Sequence, residues 1–161
     1  MSETSNENSN IKTENSFKKA LSGDALKSAL DLMEFFKSNE MLAGGEHGDV
    51  NYKGKCMCYM YINDSTQMPG PWTIWPEGDY SEEQEAVPMN ADMKEIAWAN
   101  VNFCTSCGCG SQPGSQKVVF GKTFDNVCNS AMAFYVPDFQ TLECVKNLLL
   151  MRKNLIDEDK A

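Results

Sequence analysis

The chain lacks most of the features that announce a chemistry. It holds a single histidine, His47, in 161 residues. A Cys–His nucleophilic enzyme would therefore have to use that residue, because no other general base titrates near neutral pH. Neither paired catalytic carboxylates nor a phosphate-binding glycine loop is recognisable. Phe120-Gly121-Lys122-Thr123 resembles a nucleotide loop only in its last residues, since the upstream glycine spacing is missing. No apolar run approaches the ~20 residues of a membrane span. The opening Met1-Ser2-Glu3-Thr4 has no basic start and no apolar core, so neither a secretory signal nor a transit peptide is expected. Positive charge is scarce as well. Fourteen Lys and Arg face 23 Asp and Glu, a net charge of −9, which argues against a nucleic-acid or anionic-membrane partner.

What is present suffices for one domain with a real core, because 42% of the residues are hydrophobic. The expected organisation is a disordered tail over 1–16, a single domain over 17–156 and a flexible tail over 157–161. The polar composition before Ser16 carries the first of these expectations. Seven cysteines, an odd count without an export signal, point to reduced thiols in a cytoplasmic protein.

Apolar spacing predicts the elements. Leu26, Ala29, Leu30, Met33 and Phe36 mark a helix, with Phe17 and Leu21 extending it backward and Ser22 or Asp24 as caps of a shorter version. Val50 to Ile62 reads as a strand, with Cys56, Cys58, Met60 and Ile62 on one face by alternation. Trp72 to Trp75, stopped by Pro76, pairs with it as a hairpin. Asn90 caps a helix striped by Met93, Ile96, Ala97 and Val101, which is expected to run straight into the cysteines that follow. Val118 to Phe120 and Ala131 to Val136 read as strands, with Thr123 to Ser130 ambiguous between strand and helical turn. Pro137-Asp138 opens a last helix buried through Leu142, Val145, Leu149 and Ile156. This order predicts an α+β fold, an antiparallel sheet with helices packed on it.

Cys104, Cys107 and Cys109 are the chemically loaded feature. Three thiols within six residues, interleaved with Gly108 and Gly110, would supply most of a four-ligand zinc site. Cys128 is the natural fourth ligand, with Cys56, Cys58 and His47 as alternatives. An iron–sulfur cluster, also held by four thiolates, is the second cofactor choice. A reversible disulfide is a further reading, weakened by the expected position after a helix C-terminus, where the dipole raises thiol pKa values. Cys144, Cys56 and Cys58 are expected as core fillers. Between Glu77 and Glu95 seven carboxylates face one base, Lys94. That segment is a solvated acidic stretch or a docking surface for a basic protein partner. Tyr59, Tyr61, Trp72, Trp75 and Trp98 read first as packing and second as a ligand cleft, and no particular small molecule is indicated. The expectation is a metal-binding structural or binding module, non-enzymatic before enzymatic, with a thiol redox protein and an acidic interaction protein as alternatives.

Several strings carry a resemblance. Tyr52-Lys53-Gly54-Lys55-Cys56-Met57-Cys58, Pro69-Gly70-Pro71-Trp72-Thr73-Ile74-Trp75 and Lys94 to Val101 are similar to a family of small uncharacterised proteins from anaerobic Firmicutes. Cys104-x-x-Cys107-Gly108, Pro113-Gly114, Phe120 to Cys128 and the Pro137 to Arg152 helix continue the similarity. It spans about Ala29 to Ile156 and implies common ancestry without a reaction. The order of Ile96-Ala97-Trp98, a hairpin, then Phe134-Tyr135-Val136-Pro137 and a closing helix resembles bacterial frataxin-like domains described as iron chaperones. That likeness implies a sheet with helices on one face.

Overall fold

The computed structural model describes residues 2–44, 48–63, 70–81, 89–104, 113–135 and 137–160, with backbone alone over 2–7. Among them are four helices and two antiparallel sheets, an α+β architecture as the element order predicts. The chain runs α1 (Ser2–Ala20), α2 (Gly23–Ser38), β1 (Leu42–Ala43), β2 (Asp49–Tyr52), β3 (Lys55–Ile62) and β4 (Trp72–Pro76). It continues through α3 (Ala91–Ala99), β5 (Val101–Phe103), β6 (Ser115–Val119), β7 (Lys122–Met132), β8 (Phe134–Tyr135) and α4 (Phe139–Asp157). The larger sheet is ordered β1-β2-β3-β4-β8 and the smaller β5-β7-β6. Ala133, between β7 and β8, turns the chain from one sheet to the other and donates its N–H to the Asn100 carbonyl at 3.1 Å.

The helices follow their apolar spacing. Ala29, Leu32, Met33 and Phe36 form the buried stripe of α2, and Leu142, Val145, Leu148, Leu149 and Ile156 that of α4. Side-chain caps start two helices. Asn90 Oδ1 accepts the Met93 N–H at 2.9 Å, and Asp138 Oδ1 accepts the Thr141 N–H at 2.8 Å. That same bond, with the peptide N–H as its main part, holds the Asp138 carboxyl below its ordinary range. Two hairpins close through pairs of positive-φ residues, Lys53-Gly54 and Phe120-Gly121, the backbone of a two-residue turn that matches strand twist.

Three local readings need correction. The polar N-terminal stretch expected as a disordered tail is helix α1. It is held by hydrogen bonds rather than by an apolar stripe. Asn10 Oδ1 accepts the Ala43 N–H at 2.7 Å, its Nδ2 donates to the Met41 carbonyl at 3.1 Å, and Ser9 Oγ donates to the Ala43 carbonyl. Those groups belong to edge strand β1, whose outward backbone would otherwise lack partners. Phe17 completes the attachment with its ring against Trp72, centroids 5.8 Å apart. Second, 50–62 is a hairpin rather than one strand. Third, strict alternation fails along β3. Val50 pairs with Cys58 and Asn51 with Cys56, so Met57 is an extra residue on β3. This bulge buries Met57 and Cys58 in succession and leaves Cys56 half-exposed.

Candidate metal centre

The four thiols proposed as ligands are divided by the description. Cys104 and Cys128 are described; Cys107 and Cys109 lie outside the described residues, as does His47. Cys104 directly follows β5, and Cys128 lies in β7. These strands are neighbours, paired through Phe103 and Val127. The two thiols therefore stand one residue to either side of one cross-strand pair, Cys104 beside Asn126 and Cys128 beyond Val127. Cys104 is buried and Cys128 half-buried.

Asn126 shapes this corner. It takes a left-handed conformation, φ 58°, which Asn tolerates better than other residues with a Cβ. Its carbonyl accepts the Cys104 N–H at 2.7 Å and its Nδ2 donates to the Cys104 carbonyl at 2.9 Å. Its Oδ1 accepts the Gly114 N–H at 2.9 Å. One side chain thus ties together the two chain positions that bracket 105–113. The junction is close-packed. A Cβ on Gly114 would stand 2.6 Å from the Val127 carbonyl oxygen and 2.7 Å from both the Asn126 carbonyl carbon and Cys104 Cβ. Only glycine fits there.

The expected run of a helix directly into the cysteines is corrected here. Helix α3 ends at Ala99, and β5 stands between it and Cys104. The alternative ligands also separate from the pair. Cys56 and Cys58 belong to the other sheet, and no three Cys, His, Asp or Glu side chains converge among the described residues.

Of the remaining thiols, Cys144 belongs to α4 and Cys56 and Cys58 to β3. The Arg152 Nε–H donates to the Cys56 carbonyl at 2.6 Å, and Cys144 Sγ lies 3.5 Å from the Met93 carbonyl. Burial pushes the Cys58 thiol well above its ordinary range and that of Cys144 up to about 12. Cys56 is raised too, chiefly by burial, and the Tyr59 hydroxyl beside it is pushed up to about 12, chiefly by its hydrogen bond to that thiol. The buried Cys58 and Cys144 sulfurs behave as apolar filling.

The acidic and aromatic features also resolve locally. Glu82, Glu83 and Glu85 lie outside the described residues. Asp79 accepts the Ser81 N–H at 2.9 Å, a turn bond whose backbone donor lowers its pKa, and Asp92 occupies the first turn of α3. Trp72 is core; Tyr61 and Trp75 meet edge-on at 4.9 Å; Trp98 donates its indole N–H to the Val119 carbonyl at 2.7 Å. Tyr59 and Tyr61 thus share one face of the β3–β4 pair with Trp75, while Trp72 is buried and Trp98 lies on α3. No helix among the described residues is long and apolar enough to cross a membrane.

Sequence reasoning missed Asn126, and it met Gly114 only within the Pro113-Gly114 string. A faint signal existed: Asp125-Asn126 interrupts β-forming residues, and such residues mark left-handed positions. Comparison with protein-family models, curated proteins and solved structures returned no match.

Proposed function

We propose that the chain is a thiolate metal-binding module, with zinc as the metal and Cys104, Cys107, Cys109 and Cys128 as ligands. The observation that supports it is the Asn126 junction. Of the four thiols, Cys128 stands on β7 and Cys104 directly after its partner strand β5, and one side chain ties the positions that bracket the other two. A tetrahedral site spanning them would cross-link 105–112 to β7 and so stiffen the small sheet, which is the usual work of a structural zinc. Thiolate ligation requires the sulfurs to stay reduced, which fits a cytoplasmic setting.

Cobalt substitution tests the reading. Protein refolded without oxygen and loaded with Co²⁺ is expected to show intense thiolate-to-cobalt absorption that one equivalent of Zn²⁺ displaces. Absence of that absorption, with all four thiols reacting at the rate of an unfolded control, would overturn it.

A further inference from the structure

The two sides of the larger sheet differ in kind. Met60, Ile74 and Phe134, in register across β3, β4 and β8, are buried on the core side. The other side carries Asp49, Tyr59 and Trp75, again directly opposite one another, on β2, β3 and β4. Tyr61 and Glu77 extend this row on the same side, two residues along the chain from Tyr59 and Trp75. The pairing of β3 and β4 reaches Glu77, whose N–H donates to the Met57 carbonyl at 2.9 Å. Tyr61 is 40% exposed, and the other four are half-buried.

The opposed rings of Tyr59 and Trp75 lean apart. Residues directly opposite on paired strands hold their Cβ atoms about 5 Å apart, and their side chains ordinarily touch. Tyr59, however, turns its hydroxyl to the Cys56 thiol, three residues back along β3. Trp75 leans the opposite way and meets Tyr61 edge-on, with centroids 4.9 Å apart and planes at 67°. Tyr61 and Trp75 are thus two walls of a corner, and Tyr59 is its third side.

Negative charge borders this corner. Asp49 stands across from Tyr59, and Glu77 follows Trp75 on the same side. Both carboxylates act on Tyr59, whose pKa is raised first by the Cys56 bond and further by their charge. Arg152 gives its Nε–H to the Cys56 carbonyl at 2.6 Å and makes no ion pair with Glu77. Ring faces beside carboxylates attract a cation. A hard metal ion fits poorly, because it takes six or more oxygen ligands, and no three Cys, His, Asp or Glu side chains converge among the described residues. A quaternary ammonium needs neither ligand atoms nor hydrogen-bond acceptors, only ring faces and opposite charge.

We infer that this side of the β3–β4 pair binds a small quaternary ammonium compound, its trimethylammonium head held by Tyr59, Tyr61 and Trp75 and faced by Asp49 and Glu77. The site lies on the larger sheet, apart from the thiols of the smaller one, and stands or falls independently of them.

Choline titrated into the full chain and followed by the indole N–H resonance of Trp75 tests it. A saturable shift is expected. Dimethylbutanol, in which carbon replaces the charged nitrogen of choline, should bind about tenfold more weakly. Tyr61→Leu removes one wall at an exposed position and should weaken choline binding about fivefold, with circular dichroism unchanged. Glu77→Gln removes charge alone and should weaken it about threefold. A shift that never saturates, equal binding of the uncharged isostere, or undiminished choline binding by both folded variants would overturn the inference.

Discussion

The two sheets use cysteine in opposite ways. In the larger sheet and the helix behind it, Cys58 and Cys144 are fully buried, and burial pushes their thiols far above the range in which thiolate forms. In the smaller sheet, Cys104 and Cys128 flank one cross-strand pair beside an asparagine that ties the ends of a further cysteine-bearing segment. The first arrangement favours the proton, chiefly through burial. The second places Cys104 and Cys128 on either side of the Phe103–Val127 pair, beside a left-handed asparagine and a glycine with no room for a methyl. Residue type is thus a weak guide to role, and the backbone around it is a stronger one.

Alkaline pH should break the core half first. The folded-state pKa values of Cys58 and Cys144 are raised, so these thiols add stability that is intact below the ordinary value of 9.0. That stability is lost as pH climbs through the folded values, about 12 for Cys144. Equilibrium denaturation should show stability falling above pH 9, approaching about 1.4 kcal/mol per pH unit for each thiol. Cys144→Ala should flatten the fall.

At the junction, Gly114→Ala drives a methyl into the Val127 carbonyl and Cys104 Cβ. We expect a loss of about 3 kcal/mol in urea unfolding, at the upper end for overpacking. A loss below about 0.5 kcal/mol would mean that the junction yields, and the contrast between the halves would weaken.

Cys58→Ser should cost about 2 kcal/mol, because a hydroxyl in that core lacks the partners water gave it. It should leave metal content unchanged. The smallest expected step separates backbone strain from hydrogen bonding. Asn126→Gly keeps the left-handed conformation and loses the two side-chain bonds, whereas Asn126→Ala loses both benefits. Unfolding should place Ala about 1 kcal/mol below Gly, the usual left-handed penalty for a Cβ.

Much of the fold was legible because its signals are local. Asn90 and Asp138 announce helix starts by their own side chains, and Pro76 ends β4 where it must. Helix α1 was not legible. Its attachment depends on Asn10 meeting the backbone of β1, 33 residues away in sequence at Ala43, and no periodicity encodes that. The Met57 bulge was hidden for the same reason, since only pairing with β2 reveals the extra residue. At the candidate centre, the thiols declared themselves by spacing, while Asn126 and Gly114 matter through contacts that spacing cannot express.

Metal stoichiometry across paired variants tests the contrast most directly. Purified without oxygen in the presence of zinc, wild type, Cys58→Ser and Cys144→Ala should each carry about one zinc per chain, as a single four-thiolate site requires. Cys104→Ser, Cys107→Ser and Cys128→Ser should carry far less while keeping helical circular dichroism. Equal zinc in all six proteins, or none in wild type, would contradict the account.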